Sequence, residues 1–153
     1  MLNIRVMTRD DEEEVINMMR IFYDSPAILH TSSDAVLKRD IEACVSDMPL
    51  IEGFIFENEA GEIVGYAMAS KNYTTEYGGI CIWVEDLYLK EGYREGGFSV
   101  RFFEYLEKRY PEAVRYKLEV EAENARAVAA YKKNGYAISD YLLMTKEMDD
   151  DKA

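Results

Sequence analysis

The amino-acid sequence predicts a single domain of mixed α/β (α+β) class, and three observations support this prediction. First, 153 residues is the length of one ordinary domain rather than two. Second, 48% hydrophobic and 31% charged residues are normal for a globular chain and exclude wholesale disorder. Third, alternating and helical apolar spacings follow one another in the order β-α-α-β-β-β-α-β-α-β-β, which predicts about six to seven strands and four helices.

The first half of the chain is predicted to contain three strands and two helices. Apolar and polar residues alternate over 2–7, and Thr8 then offers an N-cap for a helix whose first turn is acidic. A second helix is capped by Ser32 or Ser33 and ends at Pro49. Two strands at 53–57 and 62–70 follow, joined by a hairpin turn.

The second half of the chain begins with the most apolar segment, 80–89, which is typical of a central strand covered on both faces. The spacings then predict a helix at 98–109, a strand at 116–120, a helix at 125–133 and two final strands at 136–138 and 141–146. The predicted domain spans 1–148, and 149–153 form an acidic tail.

The charge balance disfavours several classes of partner. The net charge is −12, and such an excess of acid repels nucleic acid and anionic membrane surfaces. It either favours a cationic partner or serves solubility alone. We expect a cytoplasmic protein, because no signal peptide or apolar run of about 20 residues is present. Cys44 and Cys81 lie among apolar neighbours, so we expect buried thiols and no metal site.

A glycine-rich loop follows the predicted central strand. Residues Arg94 to Ser99 (REGGFS) open the helix at 98–109, and unpaired backbone N–H groups at a helix start bind anions when small residues let a phosphate approach. A strand-to-helix turn that merely needs glycine is an equal alternative. The spacing is neither a Walker A loop nor a G-x-G-x-x-G motif, which disfavours nucleoside triphosphates and dinucleotides.

Two motifs in register extend this interpretation. Arg94, Gly97 and Ser99 occupy the positions of an Arg/Gln-x-x-Gly-x-Gly/Ala motif, with Ser99 in place of the usual Gly or Ala. A second pattern, Asn-x-x-Ala-x-x-x-Tyr followed by Gly-aromatic, is present at Asn124, Ala127, Tyr131, Gly135 and Tyr136. From about 80 to 136 the sequence resembles the GNAT family of acetyl-coenzyme A-dependent N-acetyltransferases. The run 85–89 is similar to the diamine and polyamine acetyltransferase branch.

The resemblance implies a GNAT-like, mostly antiparallel central sheet that splays between the central strand and the next. It also implies acetyl-coenzyme A as co-substrate, a small-molecule amine as acceptor, and a homodimer. The pantetheine arm would bind the backbone along Leu87, Tyr88 and Leu89, and the pyrophosphate would bind the N–H groups of the loop. The implied coenzyme-binding residues of the loop and the next helix are Arg94, Glu95, Gly96, Gly97, Phe98, Ser99, Asn124 and Ala127. Asn124 is equally a good N-cap.

Two residues are candidates for the chemistry that the resemblance implies. Tyr131 could give a proton to the departing thiolate, or its ring could simply pack in the core. Glu85 interrupts an apolar strand, so we expect it to be desolvated and either to accept the proton of the amine through a water or to bond a neighbouring Arg or Tyr. Asp86 should point to the opposite face of the strand.

Two functions remain open from the sequence. The first is a catalytic N-acetyltransferase that acts by direct transfer from coenzyme to amine. The second is a degenerate acyl-coenzyme A-binding module that acts as a sensor or interaction partner. Tyr131 and Glu85 favour the first. Glu95 and Ser99 favour the second, because Ser99 departs from the motif and a carboxylate in a loop expected to hold pyrophosphate should weaken coenzyme binding.

Overall fold

The computed structural model describes residues 1–28 and 31–148. The predicted acidic tail at 149–153 lies outside the described residues. Within them, the strands are β1 (Asn3–Val6), β2 (Ile51–Glu57), β3 (Ile63–Thr74), β4 (Gly79–Leu89) and β5 (Ala113–Leu118). The helices are α1 (Glu12–Tyr23), α2 (Asp34–Val45), α3 (Phe98–Arg109) and α4 (Ala125–Lys133). The mixed α+β class and the four helices are confirmed.

The five strands form one sheet in the order β1-β2-β3-β4-β5. The first three pairings are antiparallel, whereas β4 and β5 are parallel and pair from Ile80↔Ala113 to Val84↔Leu118. Beyond Val84, β4 continues to Leu89 with no partner on the β5 side among the described residues. The predicted splay between the central strand and the next is therefore present.

Helices cover both faces of the sheet because its central strands are apolar on both sides. On one face, α1 and α2 contribute Met18, Met19, Leu37 and Ile41, which pack with Tyr66 of β3. On the other face, α3 packs its aromatic stripe against the sheet, and Phe102 and Leu106 are fully buried there. Each such side chain contributes roughly 1.5–3 kcal/mol through burial.

The predicted strands at 136–138 and 141–146 are wrong, because no strand forms there among the described residues. The four consecutive apolar residues at 141–144 do not alternate, so they present no single apolar face to a sheet. Leu142 and Met144 are 94% and 91% exposed. Tyr136 packs instead against Phe103 of α3, with ring centroids 5.0 Å apart.

No helix within residues 1–28 and 31–148 is long and apolar enough to cross a membrane.

Candidate active site

Strand β4 carries a β-bulge at Glu85. Val84 pairs with Ala69 and Asp86 pairs with Met68, so Glu85 is an extra residue opposite β3. Glu85 is exposed, and its Oε1 accepts a hydrogen bond from Ser70 Oγ at 2.6 Å. The expected desolvation of Glu85 is therefore wrong, because the bulge turns this side chain toward solvent, and its partner is neither an Arg nor a Tyr.

The buried carboxyl group in this region is that of Asp86. Asp86 is only 4% exposed. The prediction that it faces away from Glu85 is wrong, because the bulge breaks the alternation of the strand: the two carboxylates hydrogen-bond Tyr66 and Ser70, which lie on the same face of β3. The two oxygens of Asp86 accept hydrogen bonds from Tyr23 Oη at 3.0 Å and from Tyr66 Oη at 2.7 Å. Burial raises the pKa of Asp86 to about 6, although both hydrogen bonds act in the opposite direction. Sequence reasoning missed this network, since its members lie on α1, β3 and β4.

The end of β4 offers backbone groups that β5 does not use. Leu87 and Leu89 pack toward α3, whereas Tyr88 is buried on the α1 face. Alternate residues of a strand direct their N–H and C=O groups to one neighbour. Because the β5 ladder stops at Val84, the backbone groups on that side between Glu85 and Leu89 have no strand partner. Apart from the Leu89 carbonyl oxygen, which accepts from Arg94 Nε, they are open to an extended ligand.

The loop after β4 has an open, glycine-lined surface. Gly96 and Gly97 adopt φ angles of 111° and 73°, and nothing lies within 4 Å of the place that a Cβ atom would occupy at either residue. Gly97 is the N-cap of α3, and no side chain caps the helix. The first N–H groups of α3, those of Phe98 and Ser99 among them, therefore have no partner within the helix. This arrangement suits an anion.

Arg94 and Phe98 hold the two ends of this loop. Arg94 Nε donates to the carbonyl oxygen of Leu89 at 2.7 Å, and its guanidinium lies 5.6 Å from the centre of the Tyr88 ring. Phe98 is buried against Phe56, with ring centroids 4.5 Å apart. The loop is thereby fixed to the end of β4 and to the core, although its glycines are open.

Glu95 is paired, which the sequence did not indicate. Its Oε1 lies 3.1 Å from Arg126 Nη2 in α4, and both side chains are more than two-thirds exposed. Such a surface pair contributes at most about 1 kcal/mol to stability. It nevertheless places a cation next to the carboxylate that was expected to weaken phosphate binding. It also links the loop to the start of α4.

Helix α4 carries the remaining predicted residues. Asn124 Oδ1 accepts from the Ala127 N–H at 3.2 Å, so Asn124 is the N-cap, and Ala127 is half-buried. The ring of Tyr131 packs against Phe103 with centroids 5.9 Å apart. No described residue hydrogen-bonds its hydroxyl group. Burial raises the pKa of Tyr131, so the phenol is protonated at neutral pH.

The structure brings most of the predicted residues into one region. Contacts of Arg94 with Leu89 and of Glu95 with Arg126 join the end of β4, the loop and α4. Glu85 precedes this region on the same strand, and Tyr131 of α4 packs against Phe103 of α3. Among residues 1–28 and 31–148, no three His, Cys, Asp or Glu side chains form a group that could hold a metal ion. An open strand edge beside a helix start with unpaired N–H groups can accommodate an extended, phosphorylated acyl carrier.

Comparison with known proteins identifies the family. The profile of the Acetyltransferase (GNAT) family matches residues 15–136. The chain therefore belongs to the GNAT acetyltransferase family, and the protein is an acyltransferase. No curated protein sequence matches the chain significantly.

Solved structures share the fold over nearly the whole chain. A possible acetyltransferase from Clostridium difficile 630 superimposes with a TM-score of 0.80 at 20% identity, covering 97% of this chain and 98% of that one. AAC(6')-Iy in complex with the bisubstrate analog CoA-S-monomethyl-acetylneamine gives 0.77 at 14% identity, with 97% and 99% covered. Ribosomal-protein-alanine N-acetyltransferase from Brucella melitensis biovar Abortus 2308 gives 0.76 at 14% identity, with 96% and 99% covered.

Proposed function

We propose that the protein transfers the acetyl group of acetyl-coenzyme A to a primary amine of a small, cationic molecule. The observation that carries this proposal is the bulge at Glu85. It presents a carboxylate at the point where β4 leaves β5, a few residues before the open glycine loop. Strand β4 and the loop that follows it thus supply, in chain order, a base, a free backbone edge and an anion site.

The residues of the loop fit the phosphate end of acetyl-coenzyme A. Positive φ angles at Gly96 and Gly97 and the open space beside them allow close approach of a phosphate to backbone N–H groups. Arg126, paired with Glu95, adds a cation at the rim. The free edge of β4 at Leu87 and Leu89 can bind an amide-containing arm as an added strand would. Acetyl-coenzyme A, when bound, would supply an activated thioester.

Acyl transfer to an ammonium group needs a base that removes a proton before attack and a donor that protonates the departing thiolate. Glu85, acting through a water, takes a proton from the ammonium so that the nitrogen lone pair can attack the carbonyl carbon. Backbone N–H groups at the bulge polarise the carbonyl oxygen. As the C–N bond forms and the C–S bond breaks, Tyr131 gives its proton to the sulfur, which leaves as a thiol, and the excess proton of the new amide nitrogen passes to the tyrosine phenolate, which restores the phenol. The raised pKa of Tyr131 keeps this proton in place at neutral pH.

Charge supports a cationic acceptor. The chain has a net charge of −12, and Asp40 of α2 lies near Glu85. Burial raises the pKa of Asp40 and the carboxylate of Glu85 adds to that shift, whereas Arg39 lowers it. A diamine, polyamine or aminoglycoside-like compound would be drawn into this negative field. The similar structures include enzymes named for aminoglycoside and ribosomal-protein acceptors, so their names do not choose between acceptor classes.

The decisive experiment combines binding and turnover. Acetyl-coenzyme A should raise the Tm of the protein, because a ligand that binds only the native state stabilises it. A panel of amines is then incubated with acetyl-coenzyme A while free thiol is followed. We expect release with diamines and related cations. No Tm shift at millimolar coenzyme would contradict the proposal, and a shift without turnover on any amine would favour the binding module instead.

We also propose that the protein acts in the cytoplasm as a homodimer, without nucleic acid or membrane partners. The exposure of Leu142 and Met144 supports a partner that covers them, since large exposed apolar residues in a cluster are uncommon on monomers. Light scattering during gel filtration should give about twice the 17.7 kDa chain mass.

A further inference from the structure

Glu85 receives less support from the sheet than its neighbours in β4. The bulge removes it from the ladder with β3, since Val84 pairs with Ala69 and Asp86 pairs with Met68. The ladder with β5 ends at Val84. Both strands that flank β4 therefore leave this residue unpaired, and its position depends on side-chain contacts next to it.

Two contacts are available to hold the bulge. Ser70 Oγ reaches the Glu85 carboxylate directly at 2.6 Å. The second contact is through Asp86, which accepts one hydroxyl from α1 (Tyr23, 3.0 Å) and one from β3 (Tyr66, 2.7 Å). Hydrogen bonds to both carboxylate oxygens, from two different elements, restrict the rotation of this side chain and of the backbone that carries it.

We propose that Asp86, held by Tyr23 and Tyr66, is a positioning residue that fixes the bulge so that Glu85 meets the amine. This inference rests on the proposed function, because it takes Glu85 as the base. Asp86 acts only through its neighbour. It is 4% exposed, and its carboxylate hydrogen-bonds Tyr23 of α1 and Tyr66 of β3. A displacement of a catalytic group by about 1 Å is enough to reduce turnover by roughly a hundredfold.

The two tyrosines provide a graded test. Tyr66 is fully buried, so water cannot replace its hydroxyl group, and Tyr66→Phe should lower kcat by roughly tenfold. Tyr23 is half-buried, so water partly substitutes and Tyr23→Phe should lower kcat by roughly threefold. The affinity for acetyl-coenzyme A, measured by calorimetry, should stay unchanged in both. Tyr23→Phe keeps the test open if Tyr66→Phe does not fold.

The matched control is Tyr110→Phe. Tyr110 is equally buried and donates to another carboxylate, Glu52 Oε1, at 2.9 Å. This variant should lose stability without losing turnover. An equal fall of kcat in Tyr110→Phe and Tyr66→Phe would overturn the positioning role, since the effect would then follow lost stability rather than the bulge.

A double-mutant cycle tests whether Asp86 acts through Glu85. In a Glu85→Gln background, Tyr66→Phe should cause no further fall of kcat, because the group being positioned is already gone. A full additional tenfold fall would overturn the inference. Hydrogen exchange without substrate gives an independent readout, and the amides of Val84 and Asp86, which flank the bulge in the ladder with β3, should exchange roughly tenfold faster in Tyr66→Phe. Unchanged exchange would overturn the positioning role by itself, whereas absence of wild-type turnover on every amine would overturn the proposed function.

Discussion

Replacing Asp86 with Asn should change how the stability of the protein responds to pH. In the folded state, burial raises the pKa of Asp86 from 3.8 to about 6. Between these two values the folded chain holds a proton that the unfolded chain has released, so the unfolding free energy falls as pH rises. This pH dependence of the unfolding free energy is opposite in sign to that of a carboxylate in an ion pair, which stabilises the fold more as pH rises. The stabilising contribution is complete below the unfolded pKa and is lost by about pH 6.

The size of the effect follows from the shift. A difference of about two pKa units corresponds to about 3 kcal/mol at roughly 1.4 kcal/mol per unit. That is a large part of the 5–15 kcal/mol, roughly, that stabilises a domain. Asn has the same shape and can accept from Tyr66 and donate to Tyr23, but it does not titrate. The unfolding free energy of the wild type minus that of Asp86→Asn should therefore fall by about 3 kcal/mol between about pH 3 and pH 7.

Urea unfolding measures this difference. Trp83 is the only tryptophan and lies on the same strand as Asp86, so its fluorescence reports the unfolding of β4. Asp11→Asn is the control: for this variant the wild-type minus variant difference in unfolding free energy should rise with pH. Burial acts to raise the pKa of Asp11, but hydrogen bonds from Arg5 and Thr8 outweigh it and lower the pKa. A wild-type minus Asp86→Asn difference that is constant with pH, or that rises, would refute the reasoning.

The remaining predictions concern the proposed reaction. Glu95→Gln should free Arg126 and strengthen acetyl-coenzyme A binding several-fold in calorimetry, whereas Glu104→Gln, the same charge change further along α3, should not; weaker binding in the first variant would contradict our view of the loop. Tyr131→Phe should lower kcat by roughly 10²–10⁴-fold with coenzyme affinity unchanged, and unaltered turnover would assign Tyr131 to packing alone. Glu85→Gln should lower turnover most at low pH, where the amine most needs deprotonation, and a uniform effect across pH would argue against a base. The second-order rate with diamines should fall as salt rises, because screening shortens the reach of the negative field; equal rates with neutral amines at low salt would exclude cationic selectivity.

Local sequence patterns predicted the helices well. The bounds of α3 and α4, Phe98–Arg109 and Ala125–Lys133, match the predicted ranges, because helical periodicity and caps are local signals. The final strands failed because strand formation depends on an edge supplied from elsewhere in the chain. The apolar run at 141–144 has strand-forming residues but no alternation that would specify a buried face.

The candidate site also combines features that local sequence predicts with features that depend on distant parts of the chain. The loop and the N-cap at Asn124 could be predicted, because the glycines and the capping side chain act on backbone next to them. The exposure of Glu85 could not, since a bulge arises only when β3 and β4 pair. The pairing of Glu95 with Arg126 also depends on where α4 packs. The roles of Tyr131 and Glu85 stay predictions.

The sequence by itself determined the order of elements, the glycine loop and the motifs that mark the GNAT family, because these depend on residues close together in the chain. Only the tertiary structure decided which carboxylate is buried. Glu85 and Asp86 are adjacent and chemically alike, yet one is exposed at a bulge and the other is held by tyrosines from α1 and β3. Desolvation and hydrogen bonding are set by what packs around a group, so neighbours distant in sequence determine its chemistry.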